Sequence, residues 1–191
     1  AYRFQNGWHG TAEEMNRHIE SVLEELSLNK GVLGQEFNRC SHGEQKRIAI
    51  AQELMNLKKP TFMFLDQPTT GLDNVSTVEV LKALKQLAVN HEMTIIVTIA
   101  MPNSETLNLF DKVYALAKGG VCIYSGSPQL LDSHLEREIQ LIIPENESVL
   151  GTLIKMANEG TQNANVFKLA HKCSETNSQH ISNTANSLKR L

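Results

Sequence analysis

No apolar run in this sequence approaches the roughly 20 residues that a membrane-crossing helix needs, so none of its segments reads as a transmembrane span. Cysteine is scarce. Cys40, Cys122 and Cys173 are odd in number and widely spaced, with no CxxC pair. That pattern excludes a metal framework and leaves reduced thiols of a cytosolic protein as the expectation. An excess of positive charge is also missing. The net charge is −3, which implies no general affinity for nucleic acid. No signal peptide is present, and the first residue is Ala1 rather than Met, so a domain cut from a longer chain is expected. What is there is ordinary: 191 residues, 41% hydrophobic and 20% charged, suit one domain with a real core.

Thr11 and Glu14 have capping-box spacing and open a helix. Met15, Ile19, Val22, Leu23 and Leu26 share one face of it, and Asn29, Gly31 and Gly34 end it. A second helix is predicted over 44–57, stopped by Lys58-Lys59-Pro60. Residues 62–65 are a continuous apolar run, which suits a strand buried on both faces. Asp73 or Asn74 caps a third helix with Val75, Val78, Leu81, Leu84 and Ala88 at its apolar positions. Residues 93–99 read as another buried strand, rich in β-branched side chains. A short helix over 104–110 leads to strands over 112–117 and 121–124, which flank Gly119-Gly120 as a hairpin. Ser127-Pro128 is a helix start with Ser as cap, and a last amphipathic helix covers 148–158 and ends at Gly160. From Thr161 the chain is rich in Asn, Ser, Thr, Gln and His. A mobile tail with one weak helix over 166–171 is the expectation. No internal repeat is found. Strands alternating with helices indicate an α/β fold with a sheet parallel at its centre.

Two segments carry chemistry. "CSHGEQKRIAIAQELM", residues 40–55, leads a Ser, a Gly and a polar turn straight into a helix. The unpaired N–H groups at such a start, with the Ser41 hydroxyl, suit an anionic phosphate. Taken alone, the plainer reading is a Ser-capped helix with a solvated basic patch at Lys46 and Arg47. One helix length later comes "TFMFLDQPTTGLD", residues 61–73, a greasy strand ending in Asp66 and followed by Gln67, Pro68 and Gly71-Leu72-Asp73. In this order the segments resemble the nucleotide-binding domain of ABC transporters. "SHGEQKR" is similar to that family's signature motif, with His42 where a Gly is usual. "FMFLD" is similar to its Walker B strand, and "TGLD" to its D-loop. "TIIVTIAMPNSETLNLFDKVYALAKGG" and "YSGSPQLL" are similar to the switch region and hairpin of the G subfamily, whose members include sterol, pigment and drug exporters. The resemblance spans residues 11–160.

Three departures stand out. The 191 residues contain no GxxxxGK[ST], the loop that cradles phosphates and supplies a Lys. The family's catalytic Glu is Gln67 here, and its switch His is Ala100. Asp66 retains a carboxylate suited to Mg²⁺ through its water shell. Gln67 orients a water without acting as a general base, and losing such a base costs ~10²–10⁴-fold in rate.

The resemblance implies a P-loop NTPase-like ABC ATPase domain that lacks its first strands and phosphate loop. Residues 1–160 would be a partial nucleotide-binding domain. Within it, 1–57 would be the helical subdomain and signature helix, 58–126 the Walker B, D-loop and switch core, and 127–160 the C-terminal helices. Residues 161–191 would be a polar linker or tail. ATP and Mg²⁺ are the implied ligands. Asp66 would serve the metal, Ser41, His42, Gly43, Glu44 and Asp73 the nucleotide, and Gln67 and Ala100 would be degenerate catalytic positions. The implied partners are a second nucleotide-binding domain, head to tail, and the chain's own membrane domain, at the cytoplasmic face of a membrane. A non-hydrolysing domain that lends its signature to a competent partner is the alternative. A soluble ABC-type ATPase of translation or DNA repair is disfavoured, because no coiled-coil heptads and no basic stripe are present. Asp73 also reads as a plain helix cap. His9, His18, His91, His134, His171 and His180 have no ligand spacing and read as surface residues. Cys40 and Cys122 read as core or half-core thiols. Trp8 with Tyr2 and Phe4 reads as a partner-contact patch or as ordinary packing.

Overall fold

Thr11 and Glu14 do what their spacing predicts. The Thr11 hydroxyl accepts the Glu14 N–H, the Glu14 carboxylate accepts the Thr11 N–H, and helix α1 runs over Ala12–Glu25. The computed structural model describes residues 11–55, 60–141 and 147–188, with side chains as far as 176 and at 178. The expected cluster of Tyr2, Phe4 and Trp8, the histidines His9 and (as a side chain) His180, and the stop at Lys58-Lys59 lie outside the described residues. The chain divides into two compact units, residues 1–102 and 103–191.

In the first unit α1 is followed by two 3-10 turns, Lys30–Gly34 and Phe37–Arg39. Helix α2 spans His42–Leu54, strand β1 Phe62–Asp66, helix α3 Asn74–Asn90 and strand β2 Thr94–Thr98. α2 packs on α1 and α3, and α3 packs on β2. Val22, Leu26, Leu54, Val80 and Leu87 are fully buried among these elements, each contributing roughly 1.5–3 kcal/mol of transfer free energy. His91, at the end of α3, meets Glu25 Oε2 through Nε2 at 2.8 Å and ties that end to the end of α1. It is a half-buried, paired group rather than a plain surface histidine, and His18 and His134 are half-buried too.

β1 and β2 pair in parallel, with Phe62 opposite Thr94 and Asp66 opposite Thr98. The expected burial on both faces is not found. Met63 is buried, whereas Phe62 (58% exposed), Phe64 (73%) and Ile96 (47%) face outward. Period-2 alternation assigns the two sets to opposite faces, and among the described residues only one face is covered. Asp66 and Thr98 share the open face.

In the second unit a short helix α4, Ser104–Leu107, is capped by Asn103. It stops short of the predicted 110, because Leu109 and Phe110 turn back by N–H bonds to Thr106 and Leu107. Strands β3, Val113–Ala117, and β4, Val121–Gly126, form the antiparallel hairpin, with positive φ at Gly119 and Gly120. A 3-10 turn at Pro128–Leu130 leads into α5, Leu131–Ile139. Ser127 does not cap it by side chain. Its hydroxyl bonds Gln129 Oε1 instead. Helix α6, Val149–Glu159, is capped by Ser148 and ends at Gly160. There φ is +71° and an added Cβ would lie 3.2 Å from the Lys118 carbonyl oxygen.

The segment after Gly160 departs most from expectation. In place of a polar tail, helix α7 runs over Ala164–Leu188. The Asn163 side chain caps it by accepting the N–H groups of Asn165 and Val166. Val166, Leu169 and Cys173 fall at i, i+3 and i+7 and are buried. Val166 and Leu169 join Ile123, Leu135 and Leu153 in the core of this unit.

Candidate functional site

The β1–β2 register fixes the first cluster. With Asp66 level with Thr98, Thr98 Oγ1 donates to Asp66 Oδ1. It also accepts the backbone N–H of Gln67 at 2.9 Å. One hydroxyl therefore sets both the carboxylate and the first peptide of the loop that leaves the strand. Gln67 adopts φ +45°, a left-handed conformation that costs of order 1 kcal/mol for a residue with a side chain. The turn beyond is closed by the Thr70 N–H to Gln67 O and by Thr70 Oγ1 donating to Gln67 Oε1 at 3.1 Å. Gly71 then takes φ +81°. A carboxamide does not take up a proton at neutral pH, so Gln67 positions by hydrogen bonds and does not act as a base. Ala100, two residues past Thr98, is exposed and brings no polar side chain to this edge.

The second cluster joins two helix starts. Ser41 caps α2 in a full capping box, with Ser41 N–H donating to Glu44 Oε2 at 2.8 Å and Glu44 N–H to Ser41 Oγ at 3.3 Å. The backbone N–H of Ser41, then its hydroxyl, hold the Glu44 carboxyl below its ordinary pKa. The N–H groups of His42 and Gly43 lie in the first turn, where a helix offers them no acceptor. Asp73 caps α3 in the same manner, taking the Ser76 N–H at 2.9 Å and the Ser76 hydroxyl at 3.0 Å. Those bonds, the backbone one foremost, lower its pKa. Both Asp73 oxygens thus serve Ser76, as in the plain capping reading.

Gly43 brings the two starts together. A Cβ there would sit 3.1 Å from Ser76 Cβ and 3.2 Å from its Oγ. One turn further, Arg47 is buried, with Nη2 3.2 Å from Glu79 Oε2 on α3 and Nη1 donating to Ser27 O at 3.4 Å. Arg47 is therefore a strut between helices and no part of a solvated basic patch. His42 is exposed beside this contact.

The structure so places Ser41, Gly43, Glu44 and Asp73 in one contact, and Asp66 and Gln67 on one strand edge. Thr98, Ser76 and Glu79 belong to these clusters, and the sequence reading did not single them out. The DxxS spacing of Asp73 and Ser76 is a capping signal that marks Ser76. Thr98 is identified only by strand register. The donor set at the strand edge is one exposed carboxylate and one hydroxyl, hard oxygens of the kind Mg²⁺ accepts. Among the described residues no group of three or more His, Cys, Asp or Glu converges on a metal position.

A family model described as ABC transporter matches residues 2–70, which include Ser41, Gly43, Asp66 and Gln67. A probable ATP-dependent permease of Saccharomyces cerevisiae is 34% identical over 151 residues, covering 77% of this chain and 14% of its own length. ABC transporter G family member 20 of Arabidopsis thaliana is 33% identical over 181 residues, covering 90% of this chain and 24% of its own. Among solved structures, cbiO1 of Clostridium perfringens, part of the cbiONQ ABC transporter complex, matches with a TM-score of 0.55 and 25% identity. That match covers 76% of this chain and 55% of that one. The chain thus spans less than a quarter of the length of these curated relatives. With relatives at least 33% identical over more than two thirds of its length and a matching α/β fold, the chain belongs to the ABC transporter family, as ATP-binding-domain sequence of its G subfamily.

Proposed function

We propose that the parent protein is a membrane transporter that couples ATP binding to transport, and that the site carried by this chain hydrolyses ATP weakly. The observation that carries this reading is the strand edge, where Thr98 hydrogen-bonds the Asp66 carboxylate directly beside a Gln67 that has no basic atom. When bound, Mg²⁺ would neutralise charge on the phosphate oxygens. Asp66 would hold its water shell. Gln67, steadied by Thr70 and by its own N–H bond to Thr98, would orient an attacking water without removing its proton. The start of α2 would serve a second domain, with the Ser41 hydroxyl and the His42 and Gly43 N–H groups facing the γ-phosphate of the ATP held there. Asp73 and Ser76, against Gly43, would keep that start in place. The membrane domain would be a separate part of the parent, with this domain at its cytoplasmic face. Among the described residues no helix is long and apolar enough to cross a membrane.

A second reading follows from the same two positions. With Gln67 and Ala100 where a base and an imidazole are expected, the domain would lend its α2 start to a competent partner and turn over no ATP itself. Phosphate release from the full-length transporter separates the two. If the site here is active, Asp66→Ala lowers turnover. If it only assists, Ser41→Ala lowers turnover and Asp66→Ala leaves it unchanged. Turnover indifferent to both variants would overturn both readings.

A further inference from the structure

We propose that Cys122 and Cys173 form an oxidisable dithiol that closes to a disulfide and fastens α7 to β4. The two residues are 51 positions apart, yet their Sγ atoms lie 3.4 Å from each other. The packing that brings them together is specific. Val166, Leu169 and Cys173 make the apolar stripe by which α7 lies on β4, and Cys122 stands on that strand beside the fully buried Ile123. A disulfide needs the sulfurs about 2.05 Å apart, so the pair must close by about 1.4 Å, within reach of a side-chain adjustment. Both are thiols in this structure. Cys122 Sγ donates to the Tyr124 carbonyl at 3.2 Å, which holds it on the strand's own backbone. Cys173 is only 8% exposed, whereas Cys122 is half-buried, so a small oxidant reaches Cys122 first. Neither residue takes part in the clusters around Asp66 and Gly43, which lie in the other unit.

The oxidant is a peroxide. The Cys122 thiolate attacks one peroxide oxygen, the O–O bond breaks, and hydroxide leaves and is protonated to water. Cys122 is then a sulfenic acid. The Cys173 sulfur attacks the Cys122 sulfur, the S–O bond breaks, and the departing hydroxyl takes a proton to form a second water. Two thiols lose two electrons and two protons in all, and one hydrogen peroxide becomes two waters. Burial of Cys173 against Cys122 makes this second step intramolecular. Cys40 sits in the first unit, where its Sγ faces Gln35 Oε1 at 3.8 Å and the Glu36 carbonyl at 3.7 Å, and it supplies an internal control.

The test treats the full 191-residue chain with stoichiometric hydrogen peroxide. Free thiols are then blocked with iodoacetamide, and peptides are mapped by mass without reduction. The expected product is a monomer lighter by about 2 Da before alkylation, with the Cys122 and Cys173 peptides joined, Cys40 the cysteine that is alkylated, and dithiothreitol restoring the Cys122 and Cys173 thiols. The thermal midpoint should rise by several degrees, of order 10 °C, and fall back on reduction. In Cys173→Ser, dimedone should trap a Cys122 sulfenic acid that in the parent chain is lost to the cross-link. The proposal fails if Cys173 stays alkylatable while Cys122 goes on to sulfinic acid, or if the disulfide formed joins two chains or includes Cys40. The mapping of the unsubstituted chain decides this even if the variant does not fold.

Discussion

On the function proposed above, Gln67 and Ala100 stand where a base and an imidazole are expected; Gln67 follows Asp66 directly, and Ala100 lies two residues past Thr98. Groups that act on one phosphate and one water are coupled, so their effects should not add. In the full-length transporter, Gln67→Glu alone should give little gain in steady-state phosphate release, and Ala100→His alone little. Both together should give a clear gain that Asp66→Ala abolishes. Parent turnover at ordinary transporter rates, lost on Asp66→Ala, would show that Gln67 is no handicap. The geometry makes the first substitution a fair one, since Glu at 67 keeps an oxygen to accept the Thr70 hydroxyl. Thr98 can be tested by stability as well. Thr98→Val removes the hydroxyl that serves both Asp66 and the Gln67 N–H, at a cost of about 1 kcal/mol. Urea unfolding should show that loss, and Thr98→Ser should restore most of it. A Thr98→Val midpoint equal to the parent's would mean that the bridge contributes nothing.

At the scale of elements, the starts of α2 and α3 depend on ionised carboxylates. Glu44 and Asp73 both have native pKa values lowered by the backbone N–H groups they accept. The folded chain therefore binds these protons less readily than the unfolded chain does. What the caps contribute is fully present above the ordinary carboxylate values of about 4, and it is lost as pH falls through the lowered native values. Asp73→Asn keeps a good cap but cannot titrate. Its stability should thus fall less steeply than the parent's in that acid window, and the gap should vanish near pH 7, as read by denaturant midpoints across pH. Parallel curves for the two proteins would refute the assignment. Capping was legible in the sequence because a cap and its partner are three residues apart, as with Thr11–Glu14, and Asp73 was legible as a cap by its place before an apolar-periodic run. The hairpin was legible because Gly119 and Gly120 tolerate positive φ. Features set by long-range pairing were not legible. Thr98 meets Asp66 only through strand register, and the burial of Arg47 depends on Glu79 in another helix. α7 was hidden by its composition, because a narrow stripe of Val166, Leu169 and Cys173 is enough to dock a helix that is polar elsewhere.

For the whole molecule, the function proposed above gives this chain only part of an ATP site. The described residues supply Asp66, Thr98 and the start of α2, while none of the 191 residues forms a GxxxxGK[ST] loop. In that loop successive N–H groups and a Lys neutralise the β- and γ-phosphates together. A hydrogen bond to a charged group contributes about 1.5–3 kcal/mol, and micromolar affinity requires about 8 kcal/mol. Asp66 carries the same sign of charge as ATP and acts only through a metal, so it adds no direct attraction. The start of α2 is expected to face the nucleotide of another domain, so its donors do not converge on the same phosphate as Asp66. The 191-residue chain alone should therefore show no saturable binding of MgATP in the micromolar range when titrated calorimetrically. A longer chain of the same protein that includes a phosphate loop should bind, with affinity reduced by Asp66→Ala. Saturable micromolar binding by the 191-residue chain would mean that the Asp66 edge and the α2 start make a phosphate site by themselves, and the division of the site between two domains would be wrong.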